Sequence, residues 1–180
     1  ASRWFPDVTA FEMHPAFLAS LHRNVGHDVN VVHAAISDET RRDVPVWLSA
    51  FNIFEDVDAL PPEAHKPRGP GASGQAMIDF LTLDDYGGWP DVVKIDVEGY
   101  QAKAVRGMVR MLASSRPAVI IELHDPEKLA RFGTTNADTI APLLAAGYEG
   151  YWCGNFRDAD ARFDPIAAME ERLGLGVFVR

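Results

Sequence analysis

Asp91 to Gly99 reads DVVKIDVEG, and Pro117 to His124 reads PAVIIELH. Both are short apolar runs rich in Val and Ile, and both turn charged at their carboxyl ends. Side chains alternate across a strand. Lys94, Asp96 and Glu98 therefore share one face of the first run, and Val93, Ile95 and Val97 share the other. In the second run Glu122 and His124 lie on the face of Ile120. Near-continuous apolar character marks strands covered on both sides, as in a parallel sheet. Between the runs, Gln101 to Leu112 carries Val105, Met108, Val109 and Leu112 at helical spacing. Strand, helix, strand is the unit of a parallel sheet, which needs such a crossover.

The same alternation holds outward from this centre. Val8 to Phe11 is a β-rich run ending in Glu12. A helix over Pro15 to Val25 follows, with Pro15 in its first turn and Gly26 stopping it. Val29 to Ile36 reads as the next strand, rich in β-branched residues. Val44 to Ser49 and Met77 to Leu83 read as two more. Pro61 to Gln75, with four Pro and three Gly, is a loop. A loop of this length in a compact domain is a surface excursion or a lid over substrate. Asn136 to Ala146 is a helix stopped by Gly147, and Tyr148 to Cys153 and Val177 to Val179 are weak terminal strands. There is no internal repeat or domain boundary. The reading is a single domain over 1–180, a three-layer α/β sandwich.

With 180 residues, 47% of them hydrophobic and 24% charged, the chain is an ordinary globular one. That length buries one sizeable core without disulfide staples. Its formal charge of −9 disfavours a phosphate-backbone partner. No run is long enough to span a bilayer, and ASRWFPDV at the N-terminus lacks the features of a secretory signal. The one cysteine, Cys153, makes neither an internal disulfide nor a multi-thiolate zinc site. The expectation is a cytoplasmic protein with neither a membrane nor a nucleic acid as partner.

In open α/β sheets ligands bind beyond the carboxyl ends of the strands. A charge buried there is costly unless paired or used. Asp96, Glu98, Glu122 and His124 are thus the first candidates for a site, against the plainer account that Lys94 only neutralises Asp96 and Glu122 only caps a helix. Glu12 is the next candidate, since an acid in that position accepts hydrogen bonds from a ribose diol. Asp38 is weaker, because Ser37 to Thr40 also reads as a turn. His14 and His33 lack partners at ligand spacing and read as ordinary. His124, after a buried strand, is a candidate proton acceptor. No metal motif is present; Asp96, Glu98 and Glu122 as a Mg²⁺ site is the minor alternative.

These segments together resemble the FkbM-type family of S-adenosylmethionine-dependent methyltransferases. The resemblance is carried by VTAFEMHP (Val8 to Pro15), NVVHAAISDE (Asn30 to Glu39), FLTLDDY (Phe80 to Tyr86), VVKIDVEGYQ (Val92 to Gln101) and PAVIIELH. It implies a Rossmann-like class I methyltransferase sheet whose last strand is antiparallel. It implies S-adenosylmethionine as cofactor and a hydroxyl of a small molecule or glycan as methyl acceptor. Glu12 would bind the ribose hydroxyls. Met13 would lie by the adenine, with Ala35, Ile36, Ser37 and Asp38 on its other side. Asp96 would face the methyl group, and Asp96 or His124 would serve as base, with Lys94, Glu98 and Glu122 around them. The family's first strand and glycine-rich turn would precede Val8, where Ala1 to Asp7 holds no Gly. The preferred account is a fragment of a longer protein. The other is an incomplete domain, a non-catalytic methyltransferase-like interaction module. Two strands left unpaired by a missing neighbour would also favour a homodimer. A dehydrogenase is disfavoured, since no G-x-G-x-x-G occurs.

Overall fold

Val8–Glu12 forms strand β1 and Val29–His33 forms β2, paired in parallel from Val8 opposite Val29 to Glu12 opposite His33. Helix α1, Pro15–Asn24, makes the crossover. These elements come from a computed structural model that describes residues 5–48, 53–55 and 74–180. The chain divides into two compact units, Ala1–Leu81 and Thr82–Arg180. Among the described residues no helix is long and apolar enough to cross a membrane.

The first unit holds a second sheet, ordered β3-β6-β4-β5. Its strands are β3 (Ala35–Ile36), β4 (Arg41–Leu48), β5 (Ile53–Phe54) and β6 (Gly74–Leu81). The sequence predicts one strand over Val29 to Ile36, but the run breaks. The Ala34 N–H donates to the Val32 carbonyl at 3.2 Å, a tight turn that sends the chain into the other sheet. The side chains that pass through the break, Ala34 and Ala35, are small and buried. Between β4 and β6 the register shifts at Arg41 to Val44, and Asp43 takes a left-handed conformation, φ +49°. The Asp79 carboxylate holds this bulge by accepting from the Asp43 N–H at 3.0 Å and from Arg42 at 2.5 Å. The predicted lid falls almost wholly on residues 61–73, outside the described residues.

The second unit carries β7 (Val92–Ile95), β8 (Ala118–Leu123), β9 (Glu149–Cys153), β10 (Asp164–Pro165) and β11 (Gly174–Val179), in the order β10-β9-β11-β8-β7. β7 and β8 are parallel, and β11 runs antiparallel between β8 and β9. β8 buries Val119, Ile121 and Leu123, while Ala118, Ile120 and Glu122 stay half-exposed. It therefore alternates, unlike the doubly covered strand expected from PAVIIELH. The expected helix over Gln101 to Leu112 is two: Gln101–Arg106 and Val109–Ser114, here α3 and α4 after a short α2 at Leu83–Tyr86. Thr82 caps α2, accepting from the Asp85 N–H at 3.0 Å, so Leu83 begins a helix and does not end a strand. Asp84 then fills the gap between α3 and α4. Its carboxylate takes the N–H groups of Arg110 and Met111, both at 2.8 Å, and its own N–H donates to the Gly107 carbonyl at 2.9 Å. A cap from outside satisfies the orphan donors that a new helix start exposes. Val105, Met108 and Leu112 are buried as expected, but the break turns Val109 outward.

Helices α5 (Pro126–Ala130) and α6 (Asn136–Ala145) complete the unit. Its core includes Phe178, fully buried on β11. A Cβ at Gly150, opposite Phe178 on β9, would lie 2.7 Å from that ring and 3.0 Å from Ile166. The ring cannot swing into solvent to relieve the clash. Gly150→Ala should cost about 1–3 kcal/mol as an overpacked core does. Thermal unfolding should then begin about 3–10 °C lower. An unchanged melting temperature would show that the sheet yields there.

Candidate active site

In the first unit, β1 delivers Glu12 to the start of a turn that Pro15 closes into α1. Glu12 Oε1 accepts the His14 N–H at 2.7 Å. His14 in turn caps the helix, its Nδ1 accepting from the Ala16 N–H at 3.3 Å, and its buried ring stacks 4.8 Å from Phe17. Met13 is half-exposed, and its carbonyl is hydrogen-bonded to His33 Nε2 at 3.1 Å. Read as ordinary from sequence, both histidines thus secure the Glu12–Met13 turn. Ala35 is buried and Ile36 half-exposed in β3, whose strand pairing places them beside Phe80 and Leu81. Ser37 is fully buried, its N–H donating to the Leu81 carbonyl at 2.8 Å and its hydroxyl to Asp38 at 3.1 Å; Asp38 is exposed. β1 also touches β3, so the two segments belong to one neighbourhood.

In the second unit, the ends of β7 and β8 bring Asp96, Glu98, Glu122 and His124 together, and each carboxylate has its own cation. Lys94, two residues back on the same face, bonds Asp96 at 2.7 Å. Lys128 of α5 bonds Glu98. Arg157, beyond β9, bonds Glu122 at 3.2 Å, so Glu122 caps no helix. β7 ends at Ile95, and the chain from Asp96 onward is a turn. Glu98 there is left-handed, φ +53°, followed by Gly99 at φ +106°. A Cβ on Gly99 would sit 3.0–3.2 Å from Phe132 and Lys128, so only glycine lets the turn lie this close to α5. His124 Nδ1 is 3.1 Å from the Glu122 carbonyl, and Nε2 lies 3.6 Å from Glu98. The His124 carbonyl accepts from the buried Asn136 at 2.9 Å, and Asn136 also reaches Glu171 at 3.2 Å.

Asp96 and His124 differ sharply in access. The Asp96 side chain is 38% exposed, that of His124 only 3%. Of the two candidate bases, only Asp96 keeps a half-open side chain. Partial burial raises the Asp96 pKa, but the hydrogen bond and charge of Lys94, a hydrogen bond with Glu122 and the charge of His124 outweigh it and hold the carboxyl below its ordinary value. The described residues contain no group of three or more His, Cys, Asp or Glu placed to hold a metal ion. Sequence reasoning missed Lys128, Arg157, Asn136 and Glu171. Each meets its partner across 12 to 35 residues, beyond the reach of any local pattern.

Parallel strand pairs joined by helices, with acids gathered at the carboxyl ends, define an α/β protein, a class in which open sheets bind ligands beyond their strand ends. Residues 2–149 match the methyltransferase FkbM domain, and the chain belongs to that family. It is also similar to the crystal structure of a methyltransferase FkbM from Methylobacillus flagellatus KT, at 16% identity and a TM-score of 0.55. That alignment covers 97% of this chain and 36% of the other, so the chain spans about a third of the length of that methyltransferase. No curated protein matches the chain.

The low Asp96 pKa depends on Lys94. In Lys94→Met the largest lowering influence is gone, and the Asp96 carboxyl should titrate at a higher pH than in the parent protein. Carboxyl-detected NMR titration of the two proteins reads this directly. A midpoint that does not move would assign the depression to Glu122 and His124 instead.

Proposed function

We propose that this chain is part of an S-adenosylmethionine-dependent O-methyltransferase that methylates a hydroxyl of a small molecule or glycan, on a three-layer Rossmann-like sandwich. The observation that carries the reading is Asp96, a half-open carboxylate held ionised by Lys94 at the end of a parallel strand, in a chain of the FkbM family. Residues of the first unit fit the nucleoside end of the cofactor. Glu12 is half-exposed at the end of β1, and its carboxylate is already oriented by the His14 N–H. Glu12 would take the ribose hydroxyls, Met13 one face of the adenine, and the Ala35 to Asp38 segment the other. When bound, S-adenosylmethionine supplies a methyl group on a sulfonium.

The chain's own work is alignment and proton handling. An ionised Asp96 accepts a hydrogen bond from the acceptor hydroxyl and orients the oxygen lone pair. As the oxygen gains the methyl group, Asp96 takes the proton, with Lys94 fixing one carboxylate oxygen. His124 is too enclosed for direct contact and holds the strand end in shape through Glu98 and Asn136.

Two sets of variants test this in the full-length protein. Glu12→Ala should weaken binding of S-adenosylmethionine by about 1.5–3 kcal/mol, the worth of a charge-assisted hydrogen-bond pair; unchanged affinity in calorimetry removes Glu12 from the site. Asp96→Asn should slow single-turnover methyl transfer to hydroxylated acceptors by about 10²–10⁴-fold while leaving cofactor affinity nearly intact. His124→Gln should act more mildly. The reverse ranking would make His124 the base.

A further inference from the structure

We infer that His33 is a positioning residue for the nucleoside end of the cofactor site, acting through the Met13 carbonyl; this rests on the proposed role of Glu12. Three side-chain hydrogen bonds help to hold the Glu12–Met13–His14 turn. Two are local: the His14 N–H on Glu12, and the His14 ring on the Ala16 N–H. Both would survive if the whole turn swung as a unit. The third is the bond between His33 Nε2 and the Met13 carbonyl, from a residue 20 positions away. Met13 lies one residue past the last ladder pair, Glu12 with His33, and this bond ties it to the neighbouring strand.

The register makes this contact possible. Glu12 and His33 are directly paired across β1 and β2. Paired residues of parallel strands project from the same face, so His33 and Glu12 share one face at the carboxyl end of the sheet, where ligands bind in open α/β folds. The Met13 carbonyl can only accept, so Nε2 carries the hydrogen.

Removing such a bond loosens the acid that meets the ribose without touching the acceptor chemistry. In the full-length protein, His33→Ala should raise the Kd and KM for S-adenosylmethionine about three- to tenfold, the range for one neutral hydrogen bond. The kcat at saturating cofactor should hold. His33→Gln, whose amide N–H reaches as far as Nε2, should restore the affinity, and His33→Asn, too short to reach, should not. A loss in kcat equal to the loss in affinity, or a Gln variant as weak as Ala, would overturn the inference. So would an unchanged Kd in His33→Ala alongside weakened binding in Glu12→Ala, a result that leaves the role of Glu12 standing. Unchanged binding in Glu12→Ala would instead remove the reading on which the inference rests. Should His33→Ala fail to fold, the Gln and Asn pair decides the matter alone.

Discussion

Carboxylates set side by side at the ends of adjacent strands repel one another unless each is neutralised. The second unit is arranged around that constraint. Asp96, Glu98 and Glu122 each receive one cation, and the three cations come from β7, from α5 and from the chain beyond β9. The pairs are half-exposed, and exposed ion pairs contribute little to stability. What they contribute is placement: each carboxylate is held at one position, as a group proposed to meet a substrate has to be. The left-handed Glu98 and Gly99 belong to the same arrangement, because the turn must fold tightly for Glu98 to reach Lys128 and His124 together.

The gathering of Asp96, Glu98, Glu122 and His124 was legible in the sequence because it depends on local rules. Two apolar runs of strand length turned charged at the same end, and a crossover helix between them required the strands to be parallel. The partners were not legible. Arg157 comes to Glu122 only because β11 inserts between β8 and β9 and brings the β9 end to the same edge of the sheet. That insertion is itself hard to read, since Gly174 and Gly176 weaken the strand signal of β11 while making room in the packed sheet: a Cβ on Gly176 would lie 2.9 Å from the Phe178 ring.

Two of the misread boundaries have one kind of cause. Periodicity predicted continuous elements over Val29 to Ile36 and over Gln101 to Leu112, and each is cut by hydrogen bonds that periodicity does not contain. At Ala34 the cut is a local turn between neighbouring backbone groups. At Gly107 it is the Asp84 carboxylate, 26 and 27 positions from the N–H groups it caps. The LDD segment that helped carry the family resemblance therefore does structural work. Thr82 starts α2, Asp84 starts α4, and Asp85 pairs with Arg110 at 3.0 Å.

Burial separates the two candidate bases more firmly than their chemistry does. Histidine is the better proton acceptor near neutral pH by its ordinary nature, and sequence alone left the choice open. The structure encloses the imidazole between the Glu122 carbonyl and the Glu98 carboxylate and ties its own carbonyl to Asn136. Turning that ring toward a substrate would break a buried hydrogen bond and leave polar groups without partners, a cost of about 1–3 kcal/mol before any catalysis. Asp96 meets no such obstacle. Its carboxylate is half-open, and in the proposed methyl transfer its low proton affinity would suit a group that accepts a hydrogen bond from the acceptor hydroxyl and holds a proton only briefly. The same lowering limits how much driving force it offers as a base.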